Sequence, residues 1–186
     1  MNPYGNGELV TLISGGNVKI DNLINEKGAY TFNTITSGTI TQSYDLSSIN
    51  SKDNATYGFN YSSNVLTPSN KSVDNSFAYA KLTFNMPVDG GTVEMNVTQN
   101  SEANYDYGLV SNIDTALVKS YSDITTNVKY SAKGLSGSAT ITFENVSKGK
   151  HFITVKYRKD SSQSTGDDAF NIVSLTGTCN VLTNNN

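Results

Sequence analysis

Strict alternation of apolar and polar residues is the feature that most constrains this chain. Residues 77–87 place five apolar side chains on one face: Ala78, Ala80, Leu82, Phe84 and Met86. The same period of two recurs in residues 91–100, 138–146 and 150–160. Successive side chains of a β-strand point to opposite faces, so this pattern predicts strands with one face on a core and the other toward water.

Glycine-containing turns separate these strands into two pairs. Asp89-Gly90-Gly91 lies between the first two strands, and Ser147-Lys148-Gly149 lies between the second two. Glycine readily adopts the positive φ that tight hairpins require. We therefore predict two β-hairpins, followed by a polar loop at 161–168 and a last strand at 169–177.

The first half of the chain has weaker patterning. Residues 29–35 and 38–46 are predicted as strands around a Ser37-Gly38 turn, and residues 47–76 as a long loop with one short strand near 57–61. Two further strands are expected near 107–110 and 126–130.

Eight or more short strands with few helices predict one all-β domain. An antiparallel two-sheet sandwich or jelly roll is the favoured architecture, and an up-and-down barrel is the alternative. The domain is predicted over 29–186, whereas residues 1–28, which include Gly5, Gly7, Gly15 and Gly16, are interpreted as an N-terminal arm that docks onto a partner.

Charge and cysteine content exclude several classes of protein. The net charge of −3 and the pI near 5.0 give no electrostatic basis for binding nucleic acid. No segment has the length and apolarity of a membrane span. Cys179 is the only cysteine, so no intrachain disulfide forms. The N-terminus shows no signal peptide, which fits a protein made in the bacterial cytoplasm.

A short aromatic segment is the candidate ligand site. Asn104, Tyr105, Asp106 and Tyr107 combine two rings with an amide and a carboxylate. Rings stack on sugars, and amide and carboxylate groups bond sugar hydroxyls in fixed directions. The competing interpretation is that these tyrosines are half-buried strand residues.

The polar loop carries a candidate metal site. Asp160, Asp167 and Asp168 provide three carboxylates within nine residues, and calcium prefers such oxygen ligands. Thr165 stands where an EF-hand loop would have glycine. A solvated loop with turn-capping aspartates is the preferred interpretation.

The sequence contains no catalytic motif, so we predict that the protein is not an enzyme. His151 and Cys179 have no evident partner, and Ser111 lacks the Gly-x-Ser-x-Gly elbow. The charged segment Lys156–Asp160 is interpreted as a solvated strand edge.

Three segments resemble a known module. They are Asn104–Asp114, Gly149–Ser162 and the Gly166-Asp167-Asp168 loop. Together they resemble a β-sandwich module of virion and tail-associated proteins of tailed bacteriophages, over residues 77–175. The resemblance implies a virion structural protein, such as a capsid decoration, head-fibre or tail-associated protein, whose fold is similar to carbohydrate-binding jelly rolls.

The predicted function is therefore non-enzymatic display of a β-sandwich on a phage virion, with possible contact to host-surface glycans. Residues 1–28 would contact other virion proteins, and a homo-oligomer is compatible with this role. The alternative is a stand-alone carbohydrate-binding module of a bacterial or phage polysaccharide-acting system.

Overall fold

The computed structural model describes residues 22–24, 30–32, 38–48, 53–134 and 136–181. These residues form twelve strands and one short 3-10 helix at Leu46–Ser48. The strands are β1 (Asn22–Ile24), β2 (Tyr30–Phe32), β3 (Gly38–Ser43), β4 (Phe59–Ser62), β5 (Val65–Pro68), β6 (Phe77–Met86), β7 (Gly91–Asn100), β8 (Tyr107–Ser111), β9 (Val128–Ala132), β10 (Gly137–Val146), β11 (Gly149–Arg158) and β12 (Ala169–Val181).

Ten of the strands form two antiparallel sheets. The larger sheet has the order β10-β7-β12-β5-β4, and β3 pairs with the C-terminal part of β12. The smaller sheet has the order β6-β11-β8-β9. Strands β1 and β2 pair only with each other among the described residues. The prediction of an antiparallel β-sandwich is confirmed.

The two predicted hairpins are wrong. Strand β6 pairs with β11 in the smaller sheet, whereas β7 pairs with β10 and β12 in the larger one. The turns at 87–90 and 147–148 therefore cross from one sheet to the other. Alternation identifies the face of a strand that is buried, but it contains no information about the neighbouring strand. Crossing between the sheets lets the apolar faces of consecutive strands oppose each other.

The first half also differs from the prediction. Strand β3 pairs with β12 rather than with β2, so Ser37-Gly38 does not join a hairpin. The predicted loop contains a real hairpin, β4–β5, in which Ser63 and Asn64 both have positive φ. Asparagine tolerates this conformation better than most residues, and the turn contains no glycine to signal it.

The core lies between the two sheets, as the alternation predicts. The inward residues predicted for β6, β7 and β11 are all buried: Ala78, Ala80, Leu82, Phe84, Met86, Val93, Met95, Val97, Ile153, Val155 and Tyr157. Phe170 packs directly on the backbone of Gly108, where an added Cβ would lie 2.2 Å from the ring. The interior thus leaves no room for a side chain at that position.

A chain segment covers the outer face of the smaller sheet, although this face was predicted to meet water. Residues 112–127 cross this face, and Leu117 is buried there against Tyr79 and Leu109. The backbone N–H of Leu117 donates to Thr154 Oγ1 at 2.9 Å. Thr154 and Lys156 were predicted to face water, but both are buried because this segment lies over them.

The predicted arm, residues 1–28, lies outside the described residues except for β1. No helix among the described residues is both long enough and apolar enough to span a membrane.

Candidate functional site

An aromatic–arginine cluster lies at one end of the smaller sheet. It comprises Tyr105, Tyr107, Tyr121 and Arg158. Tyr107 and Arg158 are register partners on β8 and β11. The guanidinium carbon of Arg158 lies 4.4 Å from the ring centroid of Tyr121 and 5.7 Å from that of Tyr107. These distances correspond to cation–π contacts that hold the two rings beside the guanidinium.

Tyr105 is the most exposed part of this cluster. Its side chain is 55% exposed, the largest exposed fraction among the large hydrophobic residues of the described chain. Arg158 Nη1 donates to the backbone carbonyl of Tyr105 at 2.7 Å. One arginine therefore fixes the backbone that carries the exposed ring and also contacts the two neighbouring rings.

A buried polar network holds the loop from below. Asp106, between the two tyrosines, is fully buried, and so is Lys159. Lys159 Nζ forms a short ion pair with Asp168 and lies 3.9 Å from Asp106 Oδ2. The Tyr157 hydroxyl is 3.1 Å from Asp168 Oδ1 and 3.3 Å from Asp106 Oδ2. Buried charges require such pairing because desolvation penalises an isolated ion.

Backbone donors complete the bonding of Asp106. The N–H of Asp160 donates to Asp106 Oδ1 at 3.1 Å, and the N–H of Glu102 donates to Oδ2 at 3.3 Å. Asp106 therefore joins the loop at 102–106 to the end of β11. The Asp106 side chain is buried, whereas Tyr105 is exposed and Tyr107 is half-buried.

The two buried carboxyls have opposite pKa shifts. Burial raises the pKa of Asp106, and its hydrogen bonds offset this effect only in part. Burial also acts to raise the pKa of Asp168, but the bonds from Lys159, the Ser72 N–H and Tyr157 outweigh it and leave the pKa below its usual value. Asp168 is thus the carboxylate that balances the Lys159 ammonium.

A second buried lysine positions Tyr121. Lys156 Nζ donates to the backbone carbonyls of Val118 at 2.8 Å and Ser120 at 3.2 Å, and also to that of Asp123. These three carbonyls lie on both sides of Tyr121 in sequence. Burial lowers the pKa of Lys156. The ammonium thus fixes the segment that brings Tyr121 onto Arg158.

The Asp123 side chain stabilises the next turn of this segment. Its carboxylate accepts bonds from the N–H groups of Thr126 at 2.9 Å and Thr125 at 3.0 Å. The Thr126 and Thr125 N–H groups and the Thr126 hydroxyl lower the pKa of Asp123 to about 2. This is an Asx-type turn, in which the side chain bonds its own following backbone.

The interpretation of Lys156–Asp160 as a solvated strand edge is wrong. Strand β11 lies between β6 and β8, and both Lys156 and Lys159 are buried. Neither Arg158 nor Tyr121 was predicted as a site residue. Alternation places Arg158 on the face of Lys156, but no local signal brings Tyr121 to that face.

The four predicted ligand residues differ in how far they are buried. Asn104, which has a positive φ of 69°, and Tyr105 are exposed, and Tyr107 is half-buried beside them. Asp106 is buried with internal donors on both oxygens, so it positions the loop and does not reach a ligand directly. Direct contact by the other three stays a prediction.

The predicted calcium ligands do not converge. Asp160 Oδ1 accepts the N–H of Ser162 at 3.0 Å, and Asp167 Oδ2 accepts from Asn100 Nδ2 at 3.4 Å. Asp168 points inward to Lys159. Among the described residues, no group of three or more His, Cys, Asp or Glu is placed to hold a metal ion. The geometry therefore gives no support to a calcium site on these residues.

His151 has partners that the sequence did not reveal. Its Nδ1 lies 2.7 Å from Asp114 Oδ2, and its Nε2 lies 2.8 Å from the Ser147 carbonyl and 3.5 Å from the Ser147 hydroxyl. Both close partners are hydrogen-bond acceptors, so the protonated ring, with hydrogen on both nitrogens, can bond both of them. The bond to the carbonyl therefore leaves Nε2 without the lone pair that a general base needs.

Comparisons with known proteins give a fold likeness only. No protein-family model matches the chain, and no curated protein matches it. A family two carbohydrate esterase from Cellvibrio japonicus is 12% identical with a TM-score of 0.41. The match covers 79% of this chain and 35% of the esterase, so the chain spans about a third of that protein.

Two of the similar structures are carbohydrate-binding modules matched along almost their whole length. CBM35 from Cellvibrio japonicus Abf62 is 12% identical with a TM-score of 0.36, over 80% of this chain and 99% of the module. CBM86 from Roseburia intestinalis, a low affinity xylan binding module, is 13% identical with a TM-score of 0.35, over 77% of this chain. TM-scores this low do not identify a ligand. None of these three is a bacteriophage protein, so the predicted phage relationship gains no support.

Proposed function

We propose that this chain is a non-catalytic β-sandwich that binds carbohydrate through the aromatic–arginine cluster. The observation that carries the proposal is the exposed Tyr105 ring, whose backbone is fixed by the arginine that also contacts Tyr107 and Tyr121. A binding surface loses less entropy on association when its side chains are already immobilised.

The chemistry of the cluster suits a sugar. An exposed tyrosine ring offers an apolar face to sugar C–H groups and a hydroxyl at its edge. The exposed amide of Asn104 adjoins it and both donates and accepts hydrogen bonds. A sugar presents an apolar C–H face and hydroxyl groups at its edge. The Tyr105 ring packs on the face, and the Asn104 amide bonds the hydroxyls.

The buried lysines link this site to the fold. Lys159 and its carboxylates hold the loop bearing Tyr105, while Lys156 holds the segment bearing Tyr121. The rings come from separate parts of the chain, and tertiary packing sets their spacing. The virion role and the docking of residues 1–28 remain predictions, because no observation on the described residues tests them.

Replacing the rings tests the proposal. We expect Tyr105→Ala and Tyr121→Ala each to weaken retention on host-surface or plant polysaccharides by at least about tenfold, which corresponds to ~1.4 kcal/mol. Affinity electrophoresis with a panel of soluble polysaccharides measures this. Tyr61→Ala is the matched control, because Tyr61 is also exposed but lies on β4 of the other sheet.

Two results would overturn the proposal. One is a wild-type protein that no polysaccharide of the panel retards. The other is equal loss of retention in Tyr61→Ala and Tyr105→Ala while all variants keep the wild-type circular dichroism spectrum.

A further inference from the structure

A cleft opens between the two sheets along one side of the sandwich. Residues Tyr130–Ala132 of β9 form one wall, and Gly137–Ala139 of β10 form the other. Val97, Gln99 and Phe170 form the base. The cleft encloses about 350 Å³, within the range of small-molecule sites, which begins near ~300 Å³. We call it the inter-sheet cleft.

Apolar surface remains uncovered in this cleft. Tyr130, Ala132 and Ala139 pack against the core but are only partly buried. Strand β9 pairs only with β8, and β10 pairs only with β7, among the described residues. The two sheets therefore end side by side without closing over their inward side chains.

Gln99 leaves a buried polar atom without a partner at the base of the cleft. Its side chain is 5% exposed, and Nε2 donates to Ser101 Oγ at 2.9 Å. Its Oε1 is buried and has no hydrogen-bond partner. Such an acceptor costs stability unless a donor reaches it. Gln99 lines the cleft, so a small movement of its side chain would let this acceptor bond a molecule held there.

The end of the cleft is rigidly built. The Gly134 carbonyl accepts from the Ser101 N–H at 3.1 Å, and the Lys133 carbonyl accepts from the Asn104 N–H at 2.9 Å. Gly134 has a φ of +73°, and an added Cβ would lie 1.8 Å from the Glu102 carbonyl oxygen. These contacts fix the chain at that end against the loop at 101–104.

We infer that the inter-sheet cleft binds a neutral, hydroxyl-bearing molecule of monosaccharide size. Its lining combines apolar rings with the Gln99 acceptor and the hydroxyls of Ser131, Ser136 and Ser138. Lys133 is the one charged side chain among the described lining residues. A sugar ring meets this chemistry, since its C–H face packs on apolar groups while a hydroxyl donates to Gln99 Oε1.

This site shares no residue with the aromatic–arginine cluster and does not rest on the proposed function. The experiment uses the full chain and three probes, free D-glucose, D-galactose and D-xylose, each titrated separately. Backbone amide NMR shifts of β9 and β10 report binding. We expect at least one sugar to shift amides at 130–132 and 137–139 in a saturable manner.

Two variants test the chemistry. Gln99→Met keeps the length but removes the acceptor, and we expect about tenfold weaker binding with folding retained. Ala139→Leu fills the cleft from the opposite wall and should abolish binding. Thr142→Leu is the matched control, because it adds an apolar side chain on the outer face of the same strand.

The outcomes separate the two sites. Binding in the cleft that survives Tyr105→Ala supports this inference whatever becomes of polysaccharide retention. No saturable shift with any of the three sugars overturns it. Binding that is unchanged in Gln99→Met and Ala139→Leu also overturns it. Shifts at β9 and β10 that do not depend on sugar and grow with protein concentration overturn it as well, because they would assign the cleft to a second copy of the chain.

Discussion

Two buried lysines, three residues apart in sequence, have their positive charges compensated in different ways. Lys156 lies under residues 118–123 and donates to backbone carbonyls. Lys159 lies at the end of the sandwich and pairs with the carboxylates of Asp168 and Asp106. The first is compensated by dipoles of a single segment, and the second by charges from two different loops.

The two lysines stabilise parts of the molecule that differ in size. The carbonyls that Lys156 bonds belong to a segment that covers the sheet from outside, so we expect water to solvate them if this segment opens. The carboxylates of Lys159 are anchored to buried residues of the sandwich, so they cannot reach water without disruption of the end of the domain. Loss of Lys159 should therefore affect the whole fold, and loss of Lys156 only the covering segment.

The largest effect is expected for Lys159→Met. It leaves two buried carboxyls without their cation, and we expect the free energy of unfolding to fall by about 3–5 kcal/mol. Urea denaturation measures the change. Lys150→Met, at an exposed position of β11, the strand that ends just before Lys159, should stay close to wild type. A loss in Lys159→Met no larger than in this control would contradict the assigned role of the ion pair.

A smaller and more local effect is expected for Lys156→Met. Three carbonyls lose their donor but gain water when the segment opens, so we expect a loss of about 1–3 kcal/mol. Hydrogen exchange should accelerate at 117–126 while β6 and β7 keep their protection. If exchange accelerates equally throughout the chain, the covering segment is not a separate unit. Because Tyr121 moves with this segment, retention on polysaccharide should also weaken.

The smallest effect concerns a third basic residue, His151, which lies on β11 with Lys156. The hydrogen bond with the Asp114 carboxylate raises the pKa of His151, and the Ser147 carbonyl adds to it while burial opposes both. A raised folded pKa means that the contribution to stability is complete below about pH 6.5, the ordinary pKa of histidine, and is lost as pH rises through the folded pKa.

Asp114→Asn removes the carboxylate responsible for this dependence. We expect the wild-type melting temperature to fall as pH rises above 6.5 and the variant to show a flatter profile over the same range. Thermal unfolding followed by circular dichroism at several pH values measures both. Parallel profiles for the two proteins would show that His151 is not the group that titrates.

Sequence patterning located strands better than it located their neighbours. The inward faces of β6, β7 and β11 follow from alternation alone, because side-chain period is a local property. Pairing is not local. The turn sequences at 89–91 and 147–149 are compatible with a hairpin, yet they carry the chain between sheets. A glycine turn permits a reversal but does not choose the sheet in which the chain continues.

The candidate site could be predicted only in part, because two of its residues are brought in by pairing that is not local in the sequence. Tyr105 and Tyr107 belong to one short segment, so their composition was visible in the sequence. Arg158 and Tyr121 reach them only through the pairing of β8 with β11 and the folding of residues 112–127 over the sheet. Asp106 was expected beside a ligand, but its hydrogen bonds from the backbone of Glu102 and Asp160 hold it inside the domain.

An all-β chain with known inward faces follows from the sequence alone, because period and turn chemistry are encoded residue by residue. The tertiary structure alone decided the order of strands, the burial of Lys156 and Lys159, and the meeting of three tyrosines around Arg158. Charged side chains are expected at the surface unless partners compensate them. Those partners, carbonyls of one segment and carboxylates of two loops, come together only in the folded chain, and their bonds cannot be anticipated from the spacing of residues.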